Sequence, residues 1–364
     1  MNIDLIKEFR DPELCKGLLE TLDRELDDEL RFMEVCGTHT VAIFQSGLRS
    51  LLPDKVVHLS GPGCPVCVTH ESEVNAFLDL AEHDDVIIAT FGDLMRVPGH
   101  GGRNLKAAQA DGASVSVIYS PFDALKLAAE NPDKTVVFLG VGFETTAPTI
   151  AATMVMARKQ GLKNFMVLPF HKTVPTALGA LLDDASTRID GFILPGHVST
   201  VIGMEPYEFI ATDYDRSAVI TGFEPADILK SLVDMVRWRN EGTAKVTNNY
   251  RRAVADTGNA KAREVLYSVF EPCDALWRGI GLIPGSGLKI RDEWTDMDAI
   301  VKYGIEITEV PPLPGCRCGD VLKGVITPDQ CPLFKKVCTP AKPVGPCMVS
   351  TEGSCAAYYK YKVD

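Results

Sequence analysis

The sequence predicts an α/β protein with two similar parallel-sheet domains and a smaller cysteine-rich domain. Three observations carry this expectation. Between residues 30 and 240, short runs rich in β-branched residues alternate with amphipathic stretches, the pattern of repeated strand–helix units. After Val310 the alternation gives way to proline, glycine and cysteine, as in Pro311-Pro312-Leu313-Pro314-Gly315-Cys316. The length, 364 residues, exceeds one ordinary core and calls for two or three domains.

Taken in order, residues 1–29 read as an N-terminal helical segment packing on the C-terminal domain. Its start, Met1-Asn2-Ile3-Asp4-Leu5-Ile6-Lys7-Glu8, carries charges among its apolar positions, so no signal-peptide core can be drawn there. A first α/β domain, 30–125, has candidate strands at 30–35, 55–59, 86–90 and 114–119. A second, 126–240, has them at 135–139, 165–168, 191–194 and 218–221. Helices fill the gaps. Those over 173–182 and 225–238 carry apolar residues at helical spacing, with Pro175 and Pro225 near their starts, where a missing N–H is tolerated. The last domain, 241–364, should have only short regular elements. A segment so poor in apolar periodicity needs another source of order, and a metal cluster would supply it.

With 46% hydrophobic and 24% charged residues the composition is that of a folded globular chain. A net charge of −12 and a pI near 5.1 oppose a general role on nucleic acid or anionic membranes, which require clustered Lys and Arg. The longest apolar stretches, such as 135–143, fall far short of a membrane span, so the cytoplasm is the expected location. In that reducing compartment eleven cysteines point to metal ligands and reactive thiols rather than disulfides. Cys15 and Cys273 stand alone and read as small buried apolar residues, while three cysteines fall between Cys36 and Cys67 and six between Cys316 and Cys355.

Glu34-Val35-Cys36-Gly37-Thr38-His39-Thr40 lies where a predicted strand meets a helix starting near Val41. Ligands gather beyond the carboxyl ends of parallel strands, and helix N-terminal amides favour a thiolate at Cys36. His39 is a candidate ligand, hydrogen-bond donor or cap. Gly61-Pro62-Gly63-Cys64-Pro65-Val66-Cys67 sits before a helix starting near Thr69, a candidate cap, with Glu71 and Glu73 in its first turn. The C-x-x-C spacing of Cys64 and Cys67 suits a reversible disulfide, although half of a zinc site has the same spacing. In the tail, Cys316, Cys331, Cys338 and Cys355 could hold a 4Fe-4S cluster, leaving Cys318 and Cys347 as a second thiol pair. A zinc site is the alternative that spacing leaves open.

Glu144 reads either as a cleft-lining proton donor or as a helix-capping carboxylate, and His197, after a strand, reads as a cleft residue. The loop Pro98-Gly99-His100-Gly101-Gly102-Arg103 could cradle an anion but lacks phosphate-loop spacing, and Asp93 and Arg96 read as a surface pair.

Together with Gly142-Phe143-Glu144-Thr145-Thr146, Pro195-Gly196-His197-Val198-Ser199 and Cys347-Met348-Val349-Ser350-Thr351-Glu352-Gly353, the two thiol motifs resemble the HypD family of nickel-iron hydrogenase maturation factors. The match extends over nearly the whole chain. The resemblance implies α/β domains around a central cleft, with a 4Fe-4S cluster in the last domain. It further implies a complex with the chaperone HypC, and cyanide delivered by HypE with HypF upstream. Carried onto this sequence, the Cys36 thiolate holds the iron of the nascent Fe(CN)2CO group. Cys316, Cys331, Cys338 and Cys355 bind the cluster, and Cys64 with Cys67 and Cys318 with Cys347 are redox pairs. Such a chain is an assembly scaffold rather than a conventional turnover enzyme. Its rivals are a cluster-dependent thiol-disulfide reductase and a zinc-stabilised binding module. A closed four-cysteine site would leave no position for cyanide and carbon monoxide, so Cys36 and the C-terminal quartet should be separate sites.

Overall fold

The computed structural model describes residues 7–362; residues 1–6, which bear on the reading of the N-terminus, lie outside the described residues. Among the described residues the strands are β1 (Leu30–Glu34), β2 (Val56–Ser60), β3 (Val86–Thr90), β4 (Val115–Val117), β5 (Thr135–Gly140), β6 (Phe165–Pro169), β7 (His171–Lys172), β8 (Gly191–Pro195), β9 (Ser217–Thr221), β10 (Val246–Asn248), β11 (Phe270–Trp277) and β12 (Gly281–Ile290). Every predicted strand is present, as β1 to β6, β8 and β9. Strands β3, β5, β6, β8 and β9 are buried along their whole length, as parallel strands covered on both faces must be.

Two parallel sheets result, one ordered β10-β9-β8-β1-β2 and the other β4-β3-β5-β6. The boundary expected near residue 125 does not separate them. β3 pairs with β5 across it, Val86 opposite Thr135, and β1 pairs with the distant β8, Phe32 opposite Gly191. The chain begins the first sheet, builds the second from 86 to 169, and then returns to complete the first. Strand–helix units look alike whichever sheet they enter, so local patterning cannot assign them.

A third sheet, β11-β12-β7, is antiparallel. It escapes sequence reading because Pro272, Pro284, Gly285 and Gly287 mimic loop composition and a register shift falls between Cys273 and Ala275. With β10 on the first sheet and β12 on β7, residues 241 to 290 contribute to the α/β body. The C-terminal segment that departs from it therefore starts later than residue 241.

The N-terminal helix Pro12–Glu25 also departs from expectation. Its Leu22, with Leu26 after it, joins Ile228, Leu232 and Val236 of the helix Pro225–Asn240, on the outer face of the first sheet. Arg237 Nε donates to Glu25 at 2.7 Å, and Arg10 pairs with Glu224. The apolar stripe found the nearest complementary helix, which the sequence does not identify. The largest core cluster contains Met33 and Leu194 of the first sheet, Val137 and Leu139 of the second, and Cys318, Cys347 and Tyr358 of the tail. That continuity fixes the cysteine-rich segment against the α/β body. No helix among the described residues is long and apolar enough to cross a membrane.

Candidate functional site

Both thiol motifs lie at the carboxyl ends of adjacent strands, since Glu34 at the end of β1 is opposite Ser60 at the end of β2. Cys36 is the N-cap residue of the helix Gly37–Gln45, which starts earlier than expected. Its backbone N–H donates to Glu34 Oε2 at 3.1 Å, and Thr40 Oγ1 donates to Glu34 Oε1 at 2.6 Å. Glu34 is fully buried, and burial raises its carboxyl to about 8. His58 Nε2 lies 3.6 Å from Glu34 Oε1, with Arg49 Nη1 3.0 Å from the other ring nitrogen.

The acidification expected at this helix start does not occur for Cys36. Burial pushes its thiol up to about 12, outweighing the donors from Thr38 and His39. A bare Cys36 is therefore a neutral thiol, and a cation bound to its sulfur would be needed to stabilise the thiolate. His39 is buried with its Nε2 3.0 Å from the Gly222 carbonyl, so that nitrogen carries the proton. Its Nδ1 has no partner, and burial lowers its pKa to about 4. His197 joins the same end of the sheet: its ring is 4.4 Å from Phe223, which also neighbours His39 at 4.5 Å.

The turn after β2 approaches Cys36 so closely that only glycine fits. A Cβ on Gly63 would lie 2.1 Å from the Cys36 nitrogen. The Gly37 N–H donates to the Gly63 carbonyl at 3.2 Å. Cys64 then starts a short helix, Pro65–Val68, and the next helix, Glu71–Ala81, is capped by His70 rather than Thr69. Thr69 instead donates its hydroxyl to the Pro65 carbonyl at 2.9 Å.

The tail meets this turn directly. Cys67, fully buried, lies beside Cys64 and Cys347. Cys347 in turn contacts Cys318 and Cys355, and Cys318 contacts Cys316. Burial raises the Cys67 thiol well above its ordinary range, and contact with Cys318 does the same to Cys347. All eleven cysteines are free thiols. Cys316, Cys318, Cys331, Cys338 and Cys355 line a single cavity walled by Val321, Leu333, Phe334 and Met348. Thiols facing one apolar space are the donor set an iron-sulfur cluster takes, so the residues fit that group. As the side chains stand, no set of three or more His, Cys, Asp or Glu among the described residues could hold a single metal ion.

Glu352, from the last motif, closes the Cys36 side. It accepts from Thr38 Oγ1 at 2.9 Å, and its Cβ and backbone carbonyl occupy the space a Cβ on Gly37 would need. Glu34 and Glu352 stand inside motifs with no role expected of them; for Glu34 the signal is a carboxylate between Met33 and Val35, two residues before Cys36. Glu144 resolves as a cap, accepting from the Val174 N–H of the helix Val174–Asp183 at 3.0 Å. Its other oxygen is buried without a partner, and burial raises the carboxyl to about 7.

Arg96 is no surface partner of Asp93; it donates to the tail carbonyls of Pro340 at 3.1 Å and Val349 at 3.3 Å. The Pro98 to Arg103 loop spends its cation on Glu82, at 2.8 Å. Cys15 and Cys273 are half-buried rather than buried.

The HypD family model, described as the hydrogenase formation hypA family, matches residues 13–362. The chain is 45% identical to the hydrogenase maturation factor HypD of Rhodobacter capsulatus, covering 97% of each chain. It is 44% identical to HypD of Escherichia coli, covering 98% of each, and 44% identical to HypD2 of Bradyrhizobium diazoefficiens, covering 97% of this chain and 96% of that one. This chain belongs to the HypD family of hydrogenase maturation factors.

Proposed function

We propose that the chain is a redox-active scaffold on which the Fe(CN)2CO group of nickel-iron hydrogenase is assembled, with HypC contributing a second thiolate and HypE the cyanide. The observation that carries this reading is the run of neighbouring thiols from Cys64 through Cys67 and Cys347 to Cys318, Cys316 and Cys355, beginning one packed turn away from Cys36. A cluster held by Cys316, Cys331, Cys338 and Cys355 would supply single electrons to that run. Cys36 holds the cargo iron, its thiol proton leaving as the metal binds. One thiolate from each protein leaves the other coordination positions for cyanide and carbon monoxide. His39, neutral with a free Nδ1, and His197 lie on the same sheet end to accept or return protons.

The decisive experiment compares wild type with Cys36→Ala in complex with HypC, purified without oxygen. Infrared bands in the cyanide and carbonyl stretching region are expected from wild type and absent from the variant, which keeps its fold and its visible absorption. An alanine variant that retains both bands and maturation would move the iron elsewhere, with His39 next to test. The same thiol run also suits a thiol-disulfide reductase. Turnover of a disulfide substrate by Cys36→Ala at the wild-type rate would favour that reading.

A further inference from the structure

We propose that Arg278 is a buried positive charge beside the cysteine-rich site, set there by the β11–β12 turn to favour electron uptake. The inference rests on the reading of that site as an iron-sulfur centre. Arg278 is 3% exposed, an uncommon place for a guanidinium. Its backbone N–H donates to the Val68 carbonyl at 3.0 Å, its Nε to the Thr69 carbonyl at 2.8 Å, and its Nη1 pairs with Glu71. Three contacts thus fix it to the end of the Cys64–Cys67 turn. Its Nη2 is buried and has no acceptor.

The other side of the same turn meets the tail. A Cβ on Gly279 would lie 2.1 Å from the Gly319 Cα, so the residue after Arg278 lies directly on the residue after Cys318. Arg278 therefore lies where the end of the Cys64–Cys67 turn and the tail residue after Cys318 come together, with one donor group uncommitted.

Adding an electron to the site adds one negative charge inside a low-dielectric core. A guanidinium, charged at every working pH, stabilises that state, while Glu71 on its Nη1 offsets part of the effect. Charge and hydrogen bonds near the sulfurs are the levers by which a protein sets such a potential. A buried arginine retained only as a strut would leave the potential unchanged.

The test uses full-length protein reconstituted anaerobically with ferrous iron and sulfide, and reads the midpoint potential from visible absorption during redox titration. Relative to wild type, Arg278→Gln is expected to shift the midpoint negative and Glu71→Gln to shift it positive, with Arg278→Lys closer to wild type than Arg278→Gln. Glu71→Gln keeps an oxygen acceptor for Nη1, so it decides the matter even where Arg278→Gln does not fold. Equal midpoints in wild type, Glu71→Gln and Arg278→Lys, all with bound iron and sulfide, overturn the role of Arg278 alone. A wild-type chain that takes up no sulfide overturns the underlying iron-sulfur reading, and this inference with it.

Discussion

The turns that carry Cys36 and Cys64 and the segment that carries the last six cysteines meet at one place but are held by different means. The turns hang from paired parallel strands, with Glu34 opposite Ser60, and their glycines let one backbone lie on the other. The tail has only short regular pieces, such as Cys318–Leu322 and Ser354–Tyr361. Its position is set by its share of the common core and by contacts such as Tyr358 edge-on to Phe44 at 4.8 Å, Glu352 on Thr38, and Arg96 on two carbonyls. The first region is rigid through its own backbone, and the second through what it touches. On the redox reading proposed above, electron transfer between them would need the first to set distance and would tolerate the second, because a bound metal would complete its order.

The strongest way to break this arrangement is to push the two turns apart. Gly63→Ala places a Cβ 2.1 Å from the Cys36 nitrogen and 2.3 Å from the Val35 carbonyl carbon. Neither atom can rotate away, because both are backbone, so a cost of about 3 kcal/mol is expected from overpacking. The urea midpoint of the apoprotein should fall accordingly. A midpoint equal to wild type would mean that the turn has slack and that the separation of Cys36 and Cys64 is not fixed.

The same difference explains what could be read in the sequence. Strands with continuous Val and Ile, such as β3 and β5, are legible because burial on both faces selects for them. The placement of Cys36 and Cys64 at strand-to-helix turns was legible because strand ends and glycine spacing are local features. What local features cannot carry is partnership. Nothing around residue 125 announces that β3 and β5 share a sheet, nothing in the helix Pro12–Glu25 names the helix Pro225–Asn240, and nothing in the C-x-x-C spacing announces that Cys67 touches Cys347. Arg96 was misread for the same reason, since its acceptors lie more than 240 residues away.

A second, intermediate effect concerns a carboxylate buried in the α/β body. Burial raises Glu144 to about 7, above its ordinary value of 4.5. The folded state then binds the proton more tightly than the unfolded chain, so this group's contribution to stability is full below pH 4.5 and is lost as pH rises through 7. At about 1.4 kcal/mol per pH unit, the loss is of the order of 3 kcal/mol. Glu144→Gln keeps the oxygen that accepts the Val174 N–H and removes the titration. Stability curves from pH 4 to 8 should therefore be flatter for the variant than for wild type. Parallel curves would show that water reaches Glu144 and that its burial is incomplete.

The smallest effect tests the tail's tether. Arg96 is exposed, yet its guanidinium donates to Pro340 and Val349, two carbonyls on either side of Cys347 in the chain. Hydrogen bonds from a charged donor can be worth 1.5 to 3 kcal/mol, but exposure to water weakens them, and roughly 1 kcal/mol is a reasonable expectation for the pair. Because the strands of the α/β body do not depend on Arg96, the loss should be local rather than global. Arg96→Ala should speed amide exchange around residues 340–349 about fivefold, the factor that 1 kcal/mol gives, while β1 and β5 keep their protection. Loaded protein should show a smaller change than apoprotein, since bound metal would hold the same segment through Cys338 and Cys355. If exchange in β1 and β5 rises together with that of the tail, the two regions unfold as one unit, and the difference between backbone-held turns and contact-held tail does not exist.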